Sequence, residues 1–151
     1  MSNLVNPADA LPSFQSAFES GDIELQKCTK DENLFVHVDQ PNGEMRLTYA
    51  RVEAGKVTAL VIYFVAEPMN GIPCFQAGWA VPEAYRNKGR AKQAVKSSLA
   101  ELEHGFAKRG IIPEFYVEAV VGVDNIASKK VASTAFRAFP CHVGSYPQEL
   151  K

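Results

Sequence analysis

Trp79-Ala-Val-Pro-Glu-Ala-Tyr-Arg-Asn-Lys-Gly-Arg-Ala-Lys-Gln-Ala-Val95 decides the fold, because within it the apolar period changes from that of a strand to that of a helix. Before Pro82, residues Phe75 to Val81 read as a strand. After it, Ala91, Val95, Leu99, Leu102 and Phe106 step at helical spacing, an amphipathic helix of about five turns. Lys92, Lys96 and Glu103 fall on its wet side, and Gly110 is its stop.

Upstream, residues 7 to 20 predict a short helix, with Leu11, Phe14 and Phe18 on one face, Pro12 in or before the first turn, and Gly21 as terminator. Leu34 to Val38 and Met45 to Val52 flank Gln40-Pro-Asn-Gly43 and predict a hairpin closed by a tight Asn-Gly turn. Val57 to Ala66 is β-branched and aromatic, and predicts a central strand ending at Pro68 before the Met69-Asn-Gly71 turn. These strands and the one from Phe75 form an antiparallel meander. Downstream, Phe115 to Val123 is a strand, Asp124-Asn125 opens a second helix, and Phe139 to Tyr146 can hold one more strand. The order implies one α/β (α+β) domain over residues 1–151, with a mixed, mostly antiparallel sheet flanked by helices. Strands 75–81 and 115–123 should be parallel and joined by the long helix.

Composition agrees with a single globular domain: 151 residues, 46% hydrophobic and 22% charged. Lys and Arg number 16 against 17 Asp and Glu, which supplies no basic field for nucleic acid or anionic membrane. The longest apolar run, Ala59 to Ala66, is too short to span a bilayer, and no leader pattern opens the chain. Cys28, Cys74 and Cys141 form no Cys-x-x-Cys pair, so a reducing cytoplasm is expected. His37, His104 and His142 lie on separate elements without ligand spacing, and no metal is expected.

Chemistry concentrates where the strand at 75–81 meets the long helix. Gly89 removes a Cβ at the first turn, so the N–H groups of residues 87 to 91 can converge on an anion that the helix dipole also favours. Arg86, Lys88 and Arg90 add positive charge. The same residues also read as a turn glycine in a solvated cationic surface.

Arg86-x-x-Gly89-x-Ala91, preceded by Val81-Pro82-Glu83-x-Tyr85, resembles the acetyl-CoA signature of the GNAT-type N-acetyltransferases. Val121-Gly-Val-Asp-Asn125-Ile-Ala-Ser128-Lys-Lys-Val131-Ala is similar to that family's second motif, and the resemblance covers roughly residues 45 to 136. It implies a sheet splayed between the strands at 75–81 and 115–123, with the pantetheine arm of acetyl-CoA in the gap. The pyrophosphate would sit on N–H groups around Asn87, Lys88, Gly89, Arg90 and Ala91, and the pantetheine against backbone near Ala80 and Val81. Asn125 would bond that arm or orient the site; it and Asp124 also read as helix caps.

The departures from the family pattern are specific. The family's Tyr general acid falls at Ala132, leaving Ser128, Ser133, Thr134, Tyr116 or a water for that role. The strand Phe75-Gln-Ala-Gly-Trp79 lacks the carboxylate that often acts as base; Glu67 and Glu118 are the acidic candidates, Glu118 the first of them, and each reads more readily as a surface salt bridge or solvated carboxylate than as a catalyst. The Gln-Pro-Asn-Gly turn leaves no room for the two helices that usually roof the acceptor. Either the helix at 7–20 replaces them, or another chain completes the cleft, which would make a homodimer. The resemblance thus implies an acetyl-CoA-dependent transferase acting on an unidentified primary amine. A non-catalytic acyl-CoA-binding module, or an acyltransferase with another donor or acceptor, are the alternatives.

Overall fold

The structure, a computed structural model, describes residues 7–29, 31–86, 88–109, 115–121 and 142–145. It contains helix α1 (Pro7–Ser20), strands β1 (Gln26–Lys27), β2 (Leu34–Asp39), β3 (Arg46–Glu53), β4 (Lys56–Met69) and β5 (Ile72–Ala80), helix α2 (Arg90–Arg109), and strands β6 (Tyr116–Val121) and β7 (His142–Ser145). The strands form one seven-stranded sheet in sequence order. Pairing is antiparallel from β1 through β5, then parallel between β5 and β6 and between β6 and β7. The mixed, mostly antiparallel sheet with flanking helices is therefore present, including the parallel β5–β6 pair. The second helix expected after Asp124-Asn125 lies outside the described residues.

Local chemistry explains the turns, and in two places corrects the sequence expectation. Of the two Asn-Gly pairs, Asn70-Gly71 makes the two-residue hairpin, at φ 52° and 78°, and Ala54-Gly55 makes another at 52° and 81°. Asn42-Gly43 does not: Pro41 starts a 3-10 turn over Pro41–Gly43, and pairing resumes only at Asp39↔Arg46. A proline φ suits the start of such a turn, and the segment between the strands exceeds a two-residue loop. Pro12 is likewise well inside α1 rather than in its first turn, which Pro7 opens. Its ring lies on the exposed side, where the carbonyl four residues back can turn to water. Gly21, at φ 78°, ends the helix: its N–H donates to the Phe18 carbonyl at 3.2 Å and that of Asp22 to Ala17 at 2.9 Å. β4 runs through Pro68 to Met69, the missing N–H falling where the β4–β5 register shifts between Ala66 and Met69.

The two faces of the sheet carry different helices. Tyr49, Ala59, Val61, Tyr63, Phe75, Ala77 and Val117 pack against Ala94, Val95, Leu99 and Leu102 of α2. Ala50, Leu60 and Ile62 point the other way, toward Leu11, Phe14 and Phe18 of α1. Inside the α2 layer, Tyr63 Oη and Ser98 Oγ are bonded at 2.7 Å, and Ser98 Oγ donates to the Val95 carbonyl at 3.0 Å. The buried hydroxyls thus satisfy one another.

β5 and β6 stay together for a short distance only. Their register runs from Cys74↔Tyr116 to Ala77↔Ala119, after which β5 continues to Ala80 and β6 continues to Val121 in register with β7 at Ser145. Gly78, Trp79 and Ala80 remain paired to β4, opposite Ile62, Val61 and Leu60. Among the described residues the β5–β6 register ends at Ala77↔Ala119, and this opening lies at the end of β5 from which the chain leads into α2.

Leu99 is fully buried at the centre of the α2 contact. Leu99→Ala should cost about 2–5 kcal/mol, with the denaturant slope unchanged, in urea unfolding monitored by circular dichroism.

Candidate functional site

The region around the opening begins at Ala80, the last residue of β5, and Val81, which is buried. A 3-10 turn over Glu83–Tyr85 follows and reverses the chain. Arg86 ends that turn and folds back, its Nε donating to the Val81 carbonyl at 2.9 Å. The bond anchors the guanidinium beside the end of β5. Lys88 and Gly89 are exposed, and Arg90 begins α2. Gly89 has φ 76°, a region an L side chain enters at a cost of about 1–2 kcal/mol. A Cβ placed there would meet nothing within 4 Å, so backbone conformation rather than crowding calls for glycine. The Gly89 carbonyl accepts the Gln93 N–H at 3.0 Å, the first hydrogen bond of the helix.

The N–H groups at the start of a helix have no carbonyl partner within it, and the dipole makes that end positive. No acidic residue occupies the first turn of α2, while Arg90 and Lys92 do. Cations at a helix N-terminus oppose the dipole.

Arg90 has a local counterion that the sequence did not reveal. Its Nε and Nη2 donate to the two carboxylate oxygens of Glu53, at the end of β3, at 2.9 and 3.1 Å, and its guanidinium lies 5.2 Å from the Tyr85 ring centroid. Thr58 Oγ1 donates to Glu53 Oε2 at 2.7 Å, and Arg51 Nε lies 3.3 Å from the same oxygen. Arg51 Nη1 also bonds Asp31 at 2.9 Å, and Ser97 Oγ, two turns along α2, donates to Asp31 at 3.1 Å. The hydrogen bonds from Arg90, then from Thr58, hold the Glu53 carboxyl down at about 2. No spacing rule marks these residues, since they meet only through the tertiary fold.

Glu118 is half-buried on β6, directly across from Gln76, whose Nε2 donates to its carboxylate at 3.1 Å. This rung lies one step before the last β5–β6 pair. Gln76 is also opposite Phe64 on β4, so Phe64, Gln76 and Glu118 form a row on the sheet face away from α2. Tyr116 is on the same strand as Glu118, and Glu67 is exposed toward the end of β4. Asn87, Asn125, Ser128, Ala132, Ser133, Thr134 and Cys141 lie outside the described residues. Burial, with Glu101 and Asp31 nearby, pushes the Cys28 thiol up to about 12, and burial also raises that of Cys74. Neither is an activated nucleophile. No helix among the described residues is long and apolar enough to cross a membrane.

No protein-family model matches the chain, and no curated protein matches its sequence. Among solved structures, it is similar to the aminoglycoside antibiotic 6'-N-acetyltransferase AAC(6')-IG from Acinetobacter haemolyticus, at 21% identity and a TM-score of 0.41 over 60% of this chain. That match spans 61% of the other chain, about three fifths of its length. It is also similar to RimL, a ribosomal L7/L12 alpha-N-protein acetyltransferase, at 17% identity and a TM-score of 0.47, covering 74% of this chain and 80% of that one.

The Glu53 carboxyl yields a pH prediction. Because its folded value lies below its ordinary one, its stabilisation is complete above about pH 4.5 and is lost as pH falls toward 2. Glu53→Gln should lower stability by about 1 kcal/mol at neutral pH, and thermal melts of variant and wild type should converge across that acid range.

Proposed function

We propose that the protein is an acetyl-CoA-dependent N-acetyltransferase that moves an acetyl group directly to a primary amine. One observation carries the reading: among the described residues the parallel β5–β6 register ends at Ala77↔Ala119, at the same end of the sheet where α2 begins after Gly89 at φ 76°. An extended ligand arm fits between strands that have stopped pairing, and an anion fits the start of a helix. Both features are needed for a ligand that joins a pyrophosphate to an amide-bearing chain.

In this reading the first-turn N–H groups, around Asn87 to Ala91, receive the pyrophosphate, with Arg86 and Lys88 beside it. The free side of β5 near Ala80 and Val81 pairs with the pantetheine amides, and Asn125 holds the same arm from the other side. The neutral amine attacks the thioester carbonyl, whose developing oxyanion is met by a β5 backbone N–H. As the C–S bond breaks, the amine proton passes to Glu118, directly or through water, and the departing thiolate takes a proton from Ser128 or water. Gln76 keeps the Glu118 carboxylate at the edge of the opening. No metal is required, and positioning supplies most of the acceleration. We place this chemistry in the cytoplasm in a single domain spanning residues 1–151, with no nucleic acid or membrane partner, and with a second copy as the candidate roof of the acceptor cleft.

Calorimetry with coenzyme A and release of free thiol from acetyl-CoA test the reading together. The wild type should bind coenzyme A, and Gly89→Pro should abolish binding, because proline fixes a negative φ and removes an N–H. Arg86→Ala should weaken binding more at low salt than at high. Undiminished affinity in a folded Gly89→Pro variant would remove α2 from the site. Thiol release above background with any of a panel of polyamines, aminoglycosides, amino acids and peptides supports the transferase; silence with binding intact points to an acyl-CoA-binding module.

A further inference from the structure

The hydrogen bonds around Arg51 close a ring. From α2, Ser97 reaches Asp31; Asp31 and Glu53 are both bonded to Arg51; Glu53 returns to α2 through Arg90. Arg90 and Ser97 are seven positions apart on the helix, two turns on the same face, so the ring fastens α2 to β3 at two points. Arg51 at its centre is only 11% exposed at the side chain, and Asp31 14%. Glu53 is at the end of β3, one residue from the Ala54-Gly55 turn, whose two positive φ angles make the hairpin tip a short, fixed support.

The ring joins directly onto the α2 start. Arg90 is both the residue gripped by Glu53 and the first residue of the helix, adjacent to Gly89. Its guanidinium is held from three sides: by the two Glu53 oxygens and by the face of Tyr85, which belongs to the turn leading into Gly89. A bidentate, stacked arginine loses most of its freedom. Two of its three guanidinium nitrogens, Nε and Nη2, are turned to Glu53, which ties the first residue of α2 to the end of β3.

We propose that Glu53 is a positioning residue for coenzyme A, acting through Arg90 to set the first turn of α2, and that Arg90 serves the site from behind rather than by touching the ligand. The inference rests on the proposed pyrophosphate site at that turn. It assigns electrostatic contact with the ligand to Arg86 and Lys88, and orientation of the backbone donors to Glu53 and Arg90.

A double-mutant cycle read by calorimetry with coenzyme A tests it. Glu53→Gln and Arg90→Met should each raise Kd about tenfold with binding stoichiometry near one, and the double variant should be no weaker than either single variant, because both remove the same constraint. Arg90→Lys, which keeps the charge but not the two-pronged bond, should be weakened as well. Multiplying effects in the double variant, or unchanged or tighter binding in Glu53→Gln, would overturn the proposal, because Arg90 would then be a direct or a competing anion ligand. Loss of stoichiometry at constant Kd would overturn it too, showing a merely structural pair. A wild type that binds no coenzyme A would overturn the site itself and this inference with it, an outcome distinct from a bound wild type with additive variants.

Discussion

The structure turns on one change of direction. From β1 to β5 each strand pairs antiparallel with its predecessor and needs only a short connection; β6 pairs parallel with β5, so the chain must return along the whole sheet before it can add that strand. The return is α2, twenty residues long, packed over Tyr49, Val61 and Tyr63. A parallel crossover obliges its helix to start beside the end of the strand it leaves. The start of α2 is thereby delivered to the end of β5, where the β5–β6 register of the described residues also ends. Topology, before any side chain is considered, brings a positive helix end to the last described rung of the β5–β6 pair.

Side chains then refine that placement. The two hairpins with positive-φ turns hold the meander in register, and the bonds among Asp31, Arg51, Glu53 and Arg90 tie the helix start to the hairpin tip. Ion pairs on open surfaces contribute little, but this set shares acceptors, includes one bidentate pair, and is partly shielded. Farther along the helix, the Tyr63–Ser98 hydroxyl pair performs a related task in a dry setting, matching polar atoms so that the apolar contact around Leu99 can close over them.

What the sequence disclosed and what it concealed divide along the range of the interactions. The period change at Pro82, the helix through Leu99 and the parallel β5–β6 pair were legible because each depends on residues close together in the chain or on a rule of connection. The Asn42-Gly43 turn misled because the adjacent Pro41 and the length of the loop outweigh the dipeptide, while Asn70-Gly71 obeyed the same rule with no such neighbour. Pro12 misled because its cost falls on the solvent side of a helix anchored by Leu11, Phe14 and Phe18. Gly89 was identified from its place before the helix, and its φ supplies the physical reason. Glu53 could not have been found: it lies 37 residues from Arg90, at a hairpin tip where a carboxylate is ordinarily just a solvated charge.

The diversion of Arg90 also bears on how an anion would be held. A guanidinium facing the solvent near the α2 start would attract any phosphate, large or small, by charge alone. Paired with Glu53, it adds little net field, and more of the attraction must come from backbone N–H groups, which act over short range and only along their own directions. Such a site discriminates by shape more than by charge, and it makes the conformation of Gly89 more consequential than the number of surrounding cations. The same reasoning gives Arg86 a distinct position among the basic residues of this segment. Its Nε is bound to the carbonyl of Val81, so its charge is held beside the end of β5.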